Sequence, residues 1–324
     1  MSIKLGLLAR LSDGQVHSGA ELGGALGVTR AAVHRQIGAL EIAGLPVERL
    51  QGRGYRLGET MSLLDAARIR ASLDTRARAL LREIEVFESV SSTNARLLAR
   101  ADLHGVACLA EHQTAGRGRR GNAWHASAFG NLMFSVGWRY EGWPASMTAL
   151  SLACAVAVAR GLGRCAITGI GIKWPNDIVW HGRKLAGILI EAAGESAGPC
   201  RLVVGVGVNV YMGAAAGRKI DQDWTDLRAI AGQAPDRNQL AAALISEMLA
   251  ALDNRATGAG DAWRADFERL DVLRGRRIAL RPAGAGKALT GTALGTDETG
   301  ALLVLDDRRV THRFHSGDVS VRSQ

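Results

Sequence analysis

The chain has 324 residues, 47% of them hydrophobic, and a formal charge of +9. That length accommodates two or three domains with a sizeable core, and the charge favours an anionic partner: nucleic acid, nucleotide or acidic protein. The four cysteines, Cys108, Cys154, Cys165 and Cys200, show no C-x-x-C spacing and the N-terminus carries no secretory signal, which argues against structural zinc and a disulfide framework and for reduced thiols in a cytoplasmic protein.

Residues before about Thr60 read as a small DNA reader. Ile3, Leu7, Leu8 and Leu11 recur at helical spacing. Ser18 and Glu21 form a capping-box pattern ahead of Leu22 and Leu26, so a second helix is expected there, ended by Gly27. Thr29 is placed to cap a third helix with Val33, Ile37 and Leu40 on its apolar face. The opposite face carries Arg30, Ala31, His34, Arg35 and Gly38, a set of cations, an imidazole and small side chains suited to a major groove. Val47 to Leu57 reads as a hairpin turning at Gln51-Gly52-Arg53-Gly54, a wing whose Arg53 is expected at phosphate or minor groove. Residues 1–60 hold seven Lys/Arg against five Asp/Glu, a net +2, so DNA binding is expected to need a dimer. Protein contact is the competing reading of these helices.

A helix-rich linker over Leu63–Leu81 leads to Ile84, Val86 and Val90, which alternate as in a strand. Ser91-Ser92-Thr93-Asn94 precedes a helical Ala95–Ala101. Plain N-capping explains the run, and so does recognition of a polar ligand by its hydroxyl and amide groups. Ala107–Ala110 is expected to be a buried strand leading through Gln113 to Gly116-Arg117-Gly118-Arg119-Arg120-Gly121. Its glycines permit positive φ and close approach to a ligand, and its arginines add forked donors, so the loop suits a phosphate or carboxylate. The run also fits G-x-G-x-x-G, but a dinucleotide loop must open a helix. Here Trp124, Phe129, Leu132, Phe134 and Val136 follow in a strand-like pattern, so the loop is expected to join two strands. A basic surface loop is the bland alternative.

The most apolar run, Ala149–Ala159, stops at Arg160, short of the ~20 residues a bilayer crossing needs. A buried helix is expected, and no membrane partner. Lys173 should end a strand and Pro175 start a turn. Lys184 heads a nearly all-apolar run to Glu191. Such a lysine is usually a snorkelling surface residue, but the arginine loop makes it a candidate phosphate ligand. Val204, Val206 and Val208 alternate with Gly205 and Gly207, and Asn209 follows. That glycine face admits a flat ligand or another backbone. From about Val272 the pairs Ile278/Leu280, Thr292/Leu294, Leu302/Val304 and Val319/Val321 are expected to form a small β-barrel, with turns at Pro282-Ala283-Gly284 and Asp297-Glu298-Thr299-Gly300.

Five motifs occur in order: Ser92-Thr93-Asn94; Gln113-Thr114-Ala115 with the glycine–arginine run to Gly121; Lys173-Trp174-Pro175-Asn176-Asp177; Arg183-Lys184-Leu185-Ala186-Gly187-Ile188; and Gly205-Val206-Gly207-Val208-Asn209. Together they resemble biotin–protein ligases. With the winged helix in front, essentially the whole chain resembles the bifunctional form that is also the biotin operon repressor. The resemblance implies an α/β (α+β) fold: a winged helix-turn-helix over 1–60, a mixed sheet flanked by helices of the class II synthetase-like type over 61–271, and an SH3-like barrel over 272–324.

It also implies two half-reactions. Biotin and ATP with Mg²⁺ give biotinyl-5′-AMP and pyrophosphate; a specific lysine of the biotin carboxyl carrier protein of acetyl-CoA carboxylase then takes the biotinyl group. Carried over residue by residue, Ser92, Thr93, Asn94 and Gln113 would hold the biotin head, with Gly187 beside them. Arg117, Gly118 and Arg119 would enclose the biotin carboxylate and the nucleotide phosphate. Lys184 would neutralise developing charge, and Asp177 would sit near Mg²⁺ or the acceptor amine, making Lys184, Arg119 and Asp177 the catalytic set. Asn176, Asn209, Trp224 and Arg322 would contact the adenylate, under a closing loop over Met212–Lys219. Thr29, Arg30, Ala31, His34, Arg35 and Arg53 would meet operator DNA in a homodimer formed when biotinyl-AMP is bound. The chain departs from the family pattern at Trp124–Gly130, which lacks the Ser-Pro element, and at Asn122, where a basic residue is usual. A ligand sensor without activity and a lipoate–protein ligase are the competing readings. The intact Lys184 and arginine loop speak against the first, the fused winged helix and the same loop against the second.

Overall fold

The first three helices form where the apolar spacing places them: α1 (Ile3–Leu11), α2 (Gly19–Leu26) and α3 (Arg30–Ile42), followed by the hairpin β1 (Val47–Leu50) and β2 (Gly54–Leu57). This computed structural model describes residues 3–42, 44–58, 61–195, 198–213, 217–218, 220–256, 262–282, 288–315 and 319–323. The Ser18 hydroxyl accepts the Glu21 amide at 3.1 Å, and Gly27 closes α2 in the left-handed region at φ 65°. The Glu21 carboxylate is held low first by His17, whose Nδ1 lies 3.1 Å away, and also by the Ser18 backbone, the reciprocal contact of the capping box. Leu7, Leu11, Leu22, Val33, Ile37 and Leu40 are fully buried in the core of this unit.

Phe129, far along the chain, joins that same core. It sits at φ 62°, a conformation costing a bulky residue about 1–3 kcal/mol. Burial of its ring among the reader's leucines and a 2.9 Å hydrogen bond from its amide to the Glu111 carbonyl hold it there. The strand expected through Trp124 and Phe129 begins only at Leu132.

Next come α4 (Ala66–Ser72) and α5 (Thr75–Leu80), capped by Asp65 and Asp74. The central sheet comprises β3 (Glu83–Val90), β4 (Val106–Gln113), β5 (Leu132–Tyr140), β6 (Ile170–Lys173), β7 (Asp177–Trp180), β8 (Arg183–Ala193) and β9 (Cys200–Val208). Its order is β3-β4-β5-β9-β8-β7-β6, with β3 and β4 parallel and the other pairs antiparallel. One face is covered by α6 (Thr93–Leu98), whose Leu97 packs in one cluster with Cys108 and Val203. The helices α7 (Met147–Arg164), α9 (Arg237–Ala256) and α10 (Trp263–Leu270) pack into the main core, while the short α8 (Leu227–Ala231) follows β9.

By length and composition α7 could cross a membrane, but 13 of its 18 residues are buried inside the protein. At Gly161 it approaches α9 so closely that a Cβ would meet Leu244 at 2.8 Å. The apolar run is a core helix, longer at both ends than its apolar stretch alone indicates. Burial pushes the Cys108 thiol up to about 12, which leaves it unreactive at neutral pH.

The tail forms a second sheet, β10 (Arg277–Pro282), β11 (Leu289–Thr296), β12 (Leu302–Asp306), β13 (Thr311–Phe314) and β14 (Val319–Ser323), ordered β13-β12-β11-β10-β14 and antiparallel throughout. Alternation holds along β11, and Thr292 and Leu294 share its outward face. Gly291, Ala293 and Gly295 take the buried face, which leaves Leu294 41% exposed, and the pairing with β12 shifts register between Ala293 and Gly295. Of the turn Pro282-Ala283-Gly284, residues 283 and 284 lie outside the described residues. The tail sheet docks where the Trp174 indole donates to the Gly300 carbonyl at 3.0 Å and the Ser146 hydroxyl to Thr299 at 2.6 Å.

Candidate functional site

Parallel pairing of β3 with β4 sets Val90 opposite Gln113, so the turn after β3 and the end of β4 share one corner of the sheet. The Gln113 side-chain carbonyl accepts the Thr93 amide at 2.7 Å, and the Ser135 hydroxyl lies 2.6 Å from both Thr93 Oγ1 and Asn94 Oδ1. The Asn94 amide nitrogen donates to Glu191 at 2.7 Å. Ser92 caps α6, which starts at Thr93 rather than Ala95. The capping reading holds at Ser92, and Ser92, Thr93 and Asn94, all buried, also line a cavity.

The glycine–arginine run joins β4 to β5, as expected, through a tight loop with one 3₁₀ turn at Arg119–Gly121. Gly118 donates to Asn122 at 2.7 Å and Trp124 to Gly116 at 2.9 Å, which folds the loop back on itself. Arg119 reaches the Asn176 side-chain carbonyl at 3.3 Å. Burial and the neighbouring Arg120 cation press the Arg119 guanidinium below its ordinary value, with Asp177 opposing them. Guanidinium keeps its proton in proteins, so the site holds a partly desolvated cation beside an amide, and an anion there would offset that cost.

Antiparallel β6, β7 and β8 bring the remaining motifs to the same place. Lys173 pairs with Asp177 and Asp177 with Gly187. Lys184 Nζ lies 2.8 Å from Asp177 and 5.6 Å from the centre of the Trp124 ring. Asn176 bonds Ile188 through both its backbone carbonyl, at 3.1 Å, and its side-chain amide, at 2.8 Å. Asn209 donates to the Thr225 carbonyl at 3.0 Å, and its Oδ1 is buried without a partner. Hydrogen bonds from Lys184 to Asp223 and from Thr225 to Lys184, both 2.9 Å, hold Trp224 alongside the lysine. Gly217 rests against the Trp224 indole. Residues 214–216 and 219 of the Met212–Lys219 loop lie outside the described residues.

The glycine face of β9 is occupied by the chain's own flat groups. The Asn94 amide fills the space over Gly205, and a Cβ on Gly207 would lie 2.5 Å from the Trp124 indole, whose Nε1 is buried without a partner.

The resulting cavity, about 750 Å³, presents five cations (Arg117, Arg119, Arg120, Lys173 and Lys184) against the carboxylates of Asp177 and Asp221. It gathers the sequence-derived ligand residues Ser92, Thr93, Asn94, Gln113, Arg117, Gly118, Arg119, Asn176, Asp177, Lys184, Gly187, Asn209 and Trp224. The exception is Arg322, whose backbone pairs with Ala279 in the tail sheet and whose side chain lies outside the described residues. On the reader, Thr29, Arg30, Ala31, His34, Arg35 and Arg53 are all exposed. His34 is nevertheless engaged, 3.1 Å from the Tyr55 hydroxyl and 3.2 Å from Arg49, so it also ties α3 to the wing.

Sequence reasoning gave no role to Ser135, Trp124, Glu191 or Arg49. Ser135 had a signal, as the one hydroxyl in the otherwise apolar first half of β5. The others act through partners distant in sequence.

Three family models match in chain order: an HTH domain over residues 4–56, the biotin/lipoate A/B protein ligase family over 86–209, and the biotin protein ligase C terminal domain over 275–322. The chain is 38% identical to the bifunctional ligase/repressor BirA of Salmonella typhimurium, covering 99% of this chain and 98% of that protein. It is 36% identical to the biotin–[acetyl-CoA-carboxylase] ligase of Mycobacterium tuberculosis over 79% of this chain and 98% of that one. The biotin protein ligase of Aquifex aeolicus in complex with biotin and ATP superposes with a TM-score of 0.65 at 25% identity, covering 75% of this chain and 100% of that structure. With identity running from end to end and the motif residues meeting in one cavity, the chain belongs to the biotin–protein ligase family, in its bifunctional ligase/repressor form.

Proposed function

We propose that the chain is an ATP-dependent biotin–protein ligase and a biotinyl-AMP-dependent repressor of biotin synthesis genes, acting in the cytoplasm. One observation carries the reading: a single cavity with a neutral polar end at Ser92, Thr93, Asn94 and Gln113 and a cationic end at Arg117, Arg119 and Lys184. The ureido ring of biotin has one acceptor carbonyl and two N–H donors, and hydroxyls with amides satisfy both. A carboxylate oxygen of biotin attacks the α-phosphorus of ATP, the bond to pyrophosphate breaks, and biotinyl-5′-AMP forms. Lys184 and Arg119 stabilise the charge that builds on the phosphorus and carboxyl oxygens, since such a displacement needs mainly positioning and cations. The lysine amine of the biotin carboxyl carrier protein of acetyl-CoA carboxylase then attacks the carbonyl, AMP leaves, and the amine loses its proton.

Asp177 holds Lys184 in place and lies toward the acceptor amine. Mg²⁺ neutralises phosphate charge when it arrives with the nucleotide. The residues fit a substrate-borne ion of this kind, because Mg²⁺ takes one or two carboxylates plus phosphates, Asp177 offers one, and the described residues hold no cluster of three acidic, His or Cys groups. Asn176, Asn209 with its unpartnered oxygen, Trp224 and Arg322 take the adenylate, with Gly118 and Gly187 leaving room for it. The Met212–Lys219 loop excludes water that would hydrolyse the mixed anhydride.

The test is incubation with ATP, labelled biotin or lipoate, and a carrier domain. Biotin transfer without lipoate transfer is expected, and preferential lipoate transfer overturns the reading. Arg119→Gly removes a charged clamp worth about 1.5–3 kcal/mol, so escape of activated biotin should rise roughly tenfold or more. The readout is labelling of bystander protein; labelling equal to wild type would mean Arg119 is not the clamp.

The reader's net charge of +2 over residues 1–60 is small for a monomer holding DNA. Biotinyl-AMP therefore acts through the arginine loop and the Met212–Lys219 loop to favour a homodimer, which sets two α3 helices on a two-fold operator. Mobility shift with an inverted repeat, run beside sedimentation, should show operator affinity and dimer fraction rising together with biotin plus ATP and falling when carrier protein is added. Indifference of both to biotinyl-AMP would remove the regulatory half and leave the ligase half standing.

A further inference from the structure

We infer that Glu191 is a positioning residue of the ligase site: one carboxylate oxygen fixes the orientation of Asn94, and the other occupies Arg117 until an anionic ligand replaces it. The inference rests on the ligase reading for what the ligand is, and on geometry for the rest.

Glu191 lies on β8 just behind the cavity wall, with its side chain 27% exposed. Its Oε2 accepts the Asn94 amide at 2.7 Å, and its Oε1 accepts Arg117 Nη2 at 3.3 Å. A carboxylate can only accept, so it decides which end of the Asn94 amide faces it. The NH₂ group turns to Glu191 and to the Leu189 carbonyl at 3.3 Å, which leaves Oδ1 toward Ser135 at 2.6 Å. Gly205 lets the amide lie flat on β9 in this pose, since a Cβ there would collide with Asn94. A flipped amide would set its NH₂ against the Ser135 hydroxyl and its oxygen against a carboxylate.

The second contact has the opposite character. The Arg117 side chain is 49% exposed and its bond is long, so the pair is weakly held. A carboxylate or phosphate entering the cavity can take the guanidinium in exchange, trading one anion for another without leaving the cation bare. Glu191 thus relates to Arg117 as Asp177 does to Lys184: in each pair a site cation rests on an internal carboxylate.

Two variants separate the two contacts. Glu191→Gln keeps an acceptor for Asn94 and removes the charge facing Arg117; Glu191→Ala removes both. The full chain is digested with trypsin without ligand, and cleavage after Arg117 is followed. Biotin-dependent ATP–pyrophosphate exchange is measured on the same preparations. Both variants should be cut several-fold faster than wild type after Arg117. The alanine variant should show a biotin KM raised about tenfold with kcat little changed, the size expected for losing one charge-assisted hydrogen bond. The glutamine variant should keep its biotin KM within about threefold, because its acceptor remains. Unchanged trypsin cleavage in both variants overturns the Arg117 contact. A glutamine variant as impaired as alanine, or an alanine variant with the wild-type KM, overturns the Asn94 role. If the alanine variant does not fold, the glutamine variant still decides both, by its cleavage rate and its KM. Wild-type protein that shows no biotin-dependent exchange would instead sink the ligase reading, and the cleavage arm would still decide the Arg117 contact.

Discussion

Replacing Lys184 with alanine should slow biotinyl-AMP formation by about 10²–10³-fold, the loss typical of removing one donor that stabilises transition-state charge. The amine stands at the cationic end of the cavity, 2.8 Å from Asp177 and over the Trp124 ring. Backbone bonds from its own strand to Asp223 and Thr225 hold it there. Lys184 and Asp177 keep about a fifth of their side chains exposed, so water solvates Asp177 once the lysine is gone and the fold survives. Single-turnover pyrophosphate release measures the effect, with thermal unfolding as the control. Lys184→Arg should recover only part of the rate, because a planar fork does not reproduce a point charge. Near-normal pyrophosphate release by the alanine variant would remove Lys184 from the mechanism.

Replacing Arg237 with alanine should cost about 3–5 kcal/mol of stability, because it strands a buried carboxylate. Arg237 and Glu111 are each about 2% exposed and meet at 2.7 Å. Around the pair, Glu111 accepts the Leu64 amide at 2.7 Å, while Arg237 donates to the Ser62 carbonyl at 2.6 Å and the Asn131 carbonyl at 3.0 Å. One ion pair therefore pins the linker after the reader, strand β4, helix α9 and the segment carrying Phe129. For a protein of this size the loss corresponds to a fall in Tm on the order of 10 °C. Calorimetry measures it. Glu111→Gln combined with Arg237→Met should recover a large part, since a buried pair removed whole costs less than one broken. A single variant with a Tm within a degree or two of wild type would show that the pair carries no such weight.

Much of the reader was legible because its signals are local. Ser18, Gly27 and the 3.6-residue spacing of Leu7, Leu11, Val33, Ile37 and Leu40 each act within a turn or two of themselves. The cationic character of the cavity was legible for a related reason: each motif carries its polar side chains in one short run, and Gly116 to Gly121 gathers three arginines wherever the chain puts them. The break between that loop and a dinucleotide site was also readable, because the run leads to β5 and not to a helix.

What the residues could not state alone was where those runs meet and what fills the gaps between them. Strand order β4-β5-β9-β8-β7 brings Gln113, Gly207, Lys184 and Asp177 together from positions up to 94 residues apart. Trp124 lies on the glycine face and Phe129 inside the reader's core through packing against distant elements, in a segment with no periodicity of its own. Leu294 points outward because the tail sheet turns the Gly291, Ala293 and Gly295 face of its strand inward. Glu191 ends an apolar strand in the sequence, and only the packing of α6 and the arginine loop against β8 gives it Asn94 and Arg117 as partners. Local propensity and chemical type are properties of a short stretch of chain and are written in it. Register, burial and the choice of hydrogen-bond partner belong to surfaces that exist only once the sheet has formed, so the tertiary structure decided them.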